Sequence, residues 1–215
     1  MSKIREPFNA LSHLVGAILV VLGTGYLVFS AQRHTDAWIS FLVFGVVSCF
    51  LYVSSTIYHW TGTVKNGLQK MDHAAIYLMI AGCYTPLCVV TLVGATGWAI
   101  LILQWTLAAI GIVVTLSMTK PPIWIRLVLY LVMGWMVLPF VGQFMAHTTP
   151  LAVIWLIAGG LFYTIGVIFY ASRKPTLWPG KFSSHELWHV FVIGGTFCHF
   201  MLMHQILTGV NNRVL

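Results

Sequence analysis

The stretch that decides the fold is residues 73–119, HAAIYLMIAGCYTPLCVVTLVGATGWAILILQWTLAAIGIVVTLSMT, which contains no aspartate, glutamate, lysine or arginine. A helix needs about 20 apolar residues to cross ~30 Å of hydrocarbon, so this stretch is long enough for two spans. Gly94-Ala95-Thr96-Gly97 near its middle has the composition of a turn. The stretch therefore predicts two membrane-spanning helices joined by a tight turn.

The rest of the chain repeats this pattern. Charge-free runs cover 7–32, 37–64 and 187–212, each long enough for one span, and 127–172, which fits two spans with a turn at His147-Thr148-Thr149-Pro150. The runs lack the alternation of period two that marks a barrel strand. We therefore predict an all-α membrane protein in which a single domain, 1–215, forms a bundle of seven transmembrane helices. The predicted spans are 11–31, 37–59, 72–93, 97–118, 124–144, 150–171 and 184–208.

Composition excludes several other classes. Of 215 residues, 59% are hydrophobic and 7% are charged, and the mean hydropathy is +0.91. Soluble domains carry roughly 25% charged residues, so this chain cannot cover a water-soluble globule with polar surface. A disordered chain and a disulfide-stapled secreted domain are excluded for the same reason. The net charge of +7 comes from 11 lysines and arginines that form no patch, so we predict no nucleic-acid partner and assign the surplus to topology and anionic headgroups.

The positions of lysine and arginine predict the orientation. All but two of the 11 lie on one side of the alternating loops, and the other side holds only Arg33 and Arg213. Cytoplasmic loops carry an excess of positive charge, so we predict a cytoplasmic N-terminus and an external C-terminus. The predicted location is the plasma membrane, which in a bacterium is the inner membrane. The residues on the basic side are Lys3, Arg5, Lys65, Lys70, Lys120, Arg126, Arg173, Lys174 and Lys181.

Several other residues predict local structure without chemistry. Pro86 and Pro139 are expected to kink their helices, and the pairs Gly159-Gly160 and Gly194-Gly195 indicate close helix packing. No C-x-x-C pair exists, so the cysteines are interpreted as packed thiols. The four cysteines are Cys49, Cys83, Cys88 and Cys198.

Ionisable residues at the span ends carry the functional information. The seventh helix opens with His185-Glu186-Leu187-Trp188-His189, and two histidines four residues apart on a helix can reach one metal ion. His59 ends the second helix, and Asp72 opens the third. By the predicted topology these groups share one depth near the cytoplasmic face. Three imidazoles with one open position describe a catalytic or regulatory zinc ion.

Alternatives remain open at this point. His59 alone could be an interfacial side chain, and Asp72 could cap helix three. His185-Glu186-x-x-His189 also matches the metalloprotease motif H-E-x-x-H, with Glu186 as general base and a distant aspartate as third ligand. Glu186 is rotated ~100° from His185, however, so it would need the groove geometry of a metalloprotease to reach a water on the metal. A third class is a regulator of membrane homeostasis or a pore-forming cytolytic protein without catalysis.

The other histidines receive no functional role. His199 and His204 are interpreted as packed or bonded between helices, and the remaining ones are left unassigned. Those are His13, His34, His73 and His147.

The motifs together resemble the progestin and adiponectin receptor (PAQR) family, and in particular its hemolysin III-like branch. The resemblance rests on Glu6-Pro7-Phe8-Asn9, Ser55-Thr56-Ile57-Tyr58-His59, Met71-Asp72-His73-Ala74-Ala75-Ile76-Tyr77 and His185-x-x-x-His189, and it covers nearly the whole chain. It implies a seven-helix bundle with a cytoplasmic N-terminus.

The resemblance also implies a zinc ion held by His59, His185 and His189, with Asp72 and Ser55 in supporting or catalytic roles. Adiponectin receptors show ceramidase activity, and the hemolysin III name implies cytolysis. A zinc ion on neutral imidazoles activates water near neutral pH. Asp72 could then accept the proton, and Ser55, one turn before His59, could orient that ring. The expected partners are membrane lipids, with an acyl-chain substrate entering sideways between helices.

Overall fold

The computed structural model describes residues 4–61, 66–92, 94–118 and 122–212. Within these ranges it is helical, and seven helices are long and apolar enough to cross a membrane. The all-α prediction and the seven spans are thus confirmed for the described residues, whereas the side on which each terminus lies stays a prediction. The helices are α1 (Pro7–Ser30), α2 (Thr35–Trp60), α3 (Asn66–Thr91), α4 (Ala95–Ser117), α5 (Ile123–Ala146), α6 (Pro150–Ser172) and α7 (Ser184–Asn212).

Helix α3 begins earlier than predicted. It starts at Asn66, so Asp72 lies well inside the helix and not at its N-terminus. The alternative in which Asp72 caps the helix is therefore wrong. The added turn contains Gln69 and Lys70, and polar residues of this kind extend a helix beyond the apolar segment that hydropathy detects.

The two interior prolines disturb their helices, as predicted. The regular part of α3 ends at Pro86 and continues as the π-helix Leu87–Thr91. The regular part of α5 ends at Trp135, and the 3-10 turn Leu138–Phe140, which contains Pro139, precedes its last segment. Proline removes a backbone donor and collides with the preceding turn, which explains both changes of helix type.

The helices form a closed bundle. Helices α1 to α4 pack side by side in chain order, α6 packs along α7, and α1 also contacts α7. Helix α3 is the most buried span, while α1 and α5 are among the most exposed. Large apolar side chains such as Leu22 and Phe29 point outward from α1. Such a surface suits lipid and not water.

Small residues allow α6 and α7 to approach each other. The ring of His199 lies 2.6 Å from the position that a Cβ at Gly159 would occupy, and the ring of Tyr163 lies 2.6 Å from that of Gly195. Any larger residue would displace these rings, so the predicted role of the glycine pairs in helix packing is confirmed.

Candidate metal centre

Three histidines from two helices meet at one end of the bundle, which we call the histidine end. His59 lies in the last turn of α2, and His185 and His189 lie in the first two turns of α7. Each offers a ring nitrogen, and these nitrogens lie within 4.8 Å of one another. His59 and His189 are buried, and His185 is half-buried. This arrangement could hold one metal ion, and three imidazoles with an open fourth position are a ligand set typical of catalytic zinc.

The unbonded ring nitrogens fit a metal ion. Nε2 of His59 and Nδ1 of His189 are buried, and neither has a hydrogen-bond partner among the described residues. A buried polar atom without a partner costs roughly 1–3 kcal/mol, so two of them in one cluster need a compensating interaction. A cation bound by neutral imidazoles supplies such an interaction.

Glu6, just before α1, fixes the orientation of His59. Nδ1 of His59 lies 2.5 Å from Oε2 of Glu6, and Arg5 donates two hydrogen bonds to Oε1, at 2.8 and 2.5 Å. A carboxylate only accepts hydrogen bonds, so Nδ1 of His59 carries a proton, and in the neutral ring Nε2 then keeps a lone pair. That tautomer is the one a metal ligand needs, and a carboxylate on the outer nitrogen commonly accompanies zinc-bound histidine.

Neighbouring side chains stabilise the charged form of Glu6. The hydrogen bond from His59, with a further contribution from Arg5, lowers the pKa of Glu6 from 4.5 to about 2, although partial burial opposes the shift. The pair with His59 is therefore fully present above the ordinary carboxyl pKa and is lost only as the pH falls toward 2. Glu6 thus adds a negative charge beside the histidines at neutral pH.

Asn9 links Glu6 to the start of α7. Its buried Nδ2 lies 3.3 Å from Oε2 of Glu6 and 3.1 Å from Oε1 of Glu186. The backbone N–H of Glu6 also donates to the carbonyl of His59 at 3.2 Å. The beginning of the chain therefore ties together the ends of α2 and α7 that carry the histidines.

Glu186 forms hydrogen bonds at the N-terminus of α7. It accepts hydrogen bonds from the backbone N–H of Ser183 at 2.7 Å and from the Ser183 hydroxyl at 2.6 Å. The Ser183 hydroxyl in turn accepts from the backbone N–H of His185 at 3.3 Å. The bond from the Ser183 backbone to a glutamate three residues later is one half of a capping box, and the Ser183 hydroxyl caps the helix at His185. Glu186 points to a neighbouring helix, where it meets Asn9, as expected for a bundle built like those of the PAQR family.

Ser55 and Asp72 lie beside the cluster. Both line the cavity that also exposes His185 and His189. The side chain of Ser55 interacts with the carboxyl group of Asp72, and His59 lies close enough to that carboxyl group for an electrostatic interaction. Asp72 is not among the groups close enough to share the metal with the three histidines. This placement suits a residue that acts on a molecule bound at the open position.

His13 is a further member of the cluster. Its ring centroid lies 3.9 Å from that of His189 and 4.9 Å from that of Tyr52. The side chain is buried, and neither ring nitrogen has a hydrogen-bond partner among the described residues. His13 also lines the cavity. It therefore presents imidazole nitrogens next to the three predicted ligands.

The cavity extends from the histidine end into the apolar interior of the bundle. It offers about 120 Å³ to the centres of water-sized molecules. Beyond the polar end it is lined mainly by apolar side chains such as Leu87 of α3, Leu156 of α6 and Leu202 of α7. Such a lining suits a hydrocarbon chain.

The histidines far from the cluster form bonds between helices, as predicted. Nδ1 of His199 lies 3.3 Å from Sγ of Cys83, within the lining of the cavity. Nδ1 of His204 lies 3.1 Å from the hydroxyl of Tyr26.

Sequence reasoning did not assign Glu6 and His13 to the site. In the sequence, Glu6 stands out only as part of a family motif, and no motif includes His13. A pattern that could have found them is the spacing of Glu6, Asn9 and His13, which places three polar groups on one face of an otherwise apolar helix. Ionisable groups at membrane depth are costly and tend to mark function.

The chain is similar to known proteins over nearly its full length. The profile of a family described as Haemolysin-III related matches residues 1–200. A hemolysin-3 homolog from Bacillus subtilis is 36% identical over 201 residues, which cover 91% of this chain and 92% of the relative. Hemolysin-3 from Bacillus cereus is 35% identical over 196 residues, 89% of this chain and 87% of the relative. The human monocyte to macrophage differentiation factor is 25% identical over 208 residues, 93% of this chain and 83% of the relative.

Proposed function

The chain belongs to the Haemolysin-III related family, a family of multi-pass membrane proteins, and from this premise we propose that it is a zinc-dependent hydrolase of lipid amides. The resemblance to the hemolysin III-like branch of the PAQR family is confirmed by the profile match and by the relatives. Its seven apolar helices and bacterial relatives place the chain in the plasma membrane, the inner membrane of a bacterium.

The observation that carries the proposal is the state of His59. One ring nitrogen is bonded to the carboxylate of Glu6, and the other is buried without a partner, beside His185 and His189. Held in this way, His59 presents a lone pair to the place where the ligand atoms of three histidines converge. This arrangement supports a zinc ion held by His59, His185 and His189.

When bound, zinc would activate water near neutral pH and polarise a carbonyl group. The proposed work of the protein side chains is divided between two residues. Asp72 accepts the proton that leaves the attacking water and later passes it to the leaving amine. Ser55 interacts with Asp72, and it holds that carboxyl group in the orientation needed for proton transfer.

The cavity supports a lipid as the substrate. Its polar end contains Ser55 and Asp72, and its deeper part is apolar, so an amide headgroup can lie beside the histidines while the acyl chain fills the interior. Membrane lipids would enter sideways between helices, because the substrate is already dissolved in the bilayer. An acyl-chain amide of the ceramide type fits both parts of the cavity.

The proposed function is tested with purified full-length protein, by metal analysis together with a screen for hydrolysis of lipid amides. We expect about one zinc per chain, and we expect His59→Ala, His185→Ala and His189→Ala each to lose most of it. Full zinc occupancy in His59→Ala, with unchanged affinity, would contradict a site shared by α2 and α7.

A second pair of variants tests the catalytic role of Asp72. Asp72→Asn should retain zinc and lose hydrolysis by a factor of ~10²–10⁴, the usual cost of removing a general base. Glu186→Gln is the matched control, because Glu186 is bonded to Ser183 and Asn9. If Glu186→Gln were inactive and Asp72→Asn lost its metal, the metalloprotease interpretation would replace this one.

A second candidate function is a cytolytic or regulatory protein with a structural or sensing metal. Two of the relatives carry the name hemolysin-3 or hemolysin-3 homolog, which favours this candidate. The same purified protein distinguishes the two. Zinc without hydrolysis of any lipid amide, and wild-type behaviour of Asp72→Asn, would support the regulator and exclude the hydrolase.

A further inference from the structure

Arg126, near the start of α5, is a cation that points into the bundle. An arginine at the end of a span usually extends outward to the headgroups. Here, however, Arg126 lines the cavity, and its Nη1 is hydrogen-bonded to Nδ1 of His73 on α3. The guanidinium group keeps its charge at all relevant pH values. A fixed positive charge therefore lies at the polar histidine end of the cavity, whose deeper part is apolar.

The charge of Arg126 is not matched by a contacting carboxylate. Among the described residues Arg126 forms no salt bridge, and Asp72 reaches it only by a longer-range electrostatic interaction. A guanidinium group has five N–H donors, and His73 accounts for one acceptor. Several donors of Arg126 thus stay available for a ligand in the cavity.

Two neighbouring side chains add donors. A guanidinium group cannot accept a hydrogen bond, so Nδ1 of His73 is the acceptor and its proton is on Nε2. Tyr170 of α6 also lines the cavity, and its hydroxyl forms no hydrogen bond to the part of the chain that the structure describes. The ring of Tyr170 lies 5.8 Å from that of His185, which places it beside the metal centre.

We propose that Arg126, His73 and Tyr170 form a subsite for a phosphate headgroup of the lipid that occupies the cavity. These residues supply donors from three helices, α5, α3 and α6, and a tetrahedral phosphate has several terminal oxygens that accept from different directions. Charge-assisted hydrogen bonds from arginine to phosphate are among the stronger polar interactions in proteins. This inference deepens the proposed function, on which it rests for the occupant of the cavity, and it defines the substrate class as a lipid amide that carries phosphate.

A structural role for Arg126 is the competing explanation. Tyr130, one turn later on α5, donates to the backbone carbonyl of His73 at 2.8 Å. Arg126 and Tyr130 could therefore serve only to attach α5 to α3. Tyr130→Phe removes one of these attachments and leaves the charge in place, which makes it the matched control for Arg126→Gln.

The test compares two lipids that differ only in the phosphate, 1-palmitoyl lysophosphatidic acid and 1-monopalmitoylglycerol. Binding to the full-length protein is followed by tryptophan fluorescence, because Trp135 and Trp188 line the cavity. We expect the wild type to bind the phosphate lipid at least tenfold more tightly. Arg126→Gln should remove this preference and leave the affinity for monopalmitoylglycerol within twofold. Arg126→Lys should keep part of the preference, and Tyr130→Phe should keep all of it.

Several results would overturn the subsite. The wild type could bind the two lipids with equal affinity, or Arg126→Gln could keep the full preference for the phosphate lipid. Arg126→Gln could also lose affinity equally for both lipids. Tyr170→Phe, which removes a single hydroxyl, should also reduce the preference, and an unchanged value would exclude Tyr170. Inorganic phosphate alone should not displace the lipid; displacement at a similar concentration would mean a site for free phosphate.

The same titration separates the subsite from the hydrolase. Both lipids are esters and not amides, and their recovery intact after the titration shows that turnover has not entered the measurement. Repeating it with the metal-site variant His59→Ala should give the same preference for phosphate. A preserved preference together with absent hydrolysis would leave the subsite standing and remove only the enzyme, whereas a preference lost with His59→Ala would refute a subsite formed by the three residues themselves.

Discussion

Replacing Glu6 tests whether the segment before the first span belongs to the metal centre. Its carboxylate lies 2.5 Å from Nδ1 of His59, and its pKa of about 2 keeps it charged under any condition used to measure metal binding. Loss of such a partner typically costs ~10–100-fold in metal affinity. Glutamine can still accept a hydrogen bond but carries no charge, so Glu6→Gln should weaken zinc binding ~10-fold. Glu6→Ala removes both the charge and the hydrogen-bond acceptor and should weaken zinc binding ~100-fold.

Competition against a chromophoric zinc chelator at neutral pH measures these affinities. Glu186→Gln is the control, because Glu186 also bonds to Asn9 but accepts no hydrogen bond from a metal-site histidine. It should bind zinc as the wild type does. If Glu6→Ala retained wild-type zinc affinity, the carboxylate would have no part in orienting His59, and the argument from the tautomer would fail.

Three further predictions concern topology, capping and packing. A reporter in the 172–183 loop should be cytoplasmic and one at the C-terminus external, because nearly all basic loop residues share the side of that loop; the opposite result would invert the predicted orientation. Ser183→Ala should lower stability by about 0.5–2 kcal/mol, because it removes the hydroxyl that caps α7 by accepting from the backbone N–H of His185, as measured by thermal unfolding in detergent. Gly195→Ala should lower the unfolding temperature, because its Cβ would lie 2.6 Å from the ring of Tyr163; an unchanged temperature would show that the two helices can separate at no cost.

The spans could be predicted from sequence because a single property sets them. Long runs without charge mark the hydrocarbon, and the structure places helices over each run. The predicted start of α3 is too late because residues 66–71 include polar and charged side chains that fall outside the apolar run but still continue the helix. Hydropathy detects the apolar part of a helix and does not detect a polar extension of the same helix.

The three histidines could be predicted because one pair is local. His185 and His189 are four residues apart, and His59 shares their predicted depth. The contacts of Glu6 and His13 join α1 to helices far away in the chain, and no local spacing determines which side chains meet across such distances. The sequence places Arg126 only among the basic residues of the predicted cytoplasmic side, and its inward direction follows from its place in the cavity and its hydrogen bond to His73.

The candidate metal centre joins the first and last parts of the chain, so its proposed ligands reach the membrane at different times. Glu6 precedes the first span, whereas His185 and His189 open the last one. A ribosome therefore delivers the carboxylate and His59 to the membrane long before the remaining ligands exist. A nascent chain halted ahead of position 185 holds only one of the three imidazoles. Zinc retention by such stalled chains should be negligible, and metal loading should report that insertion of the last helix is complete.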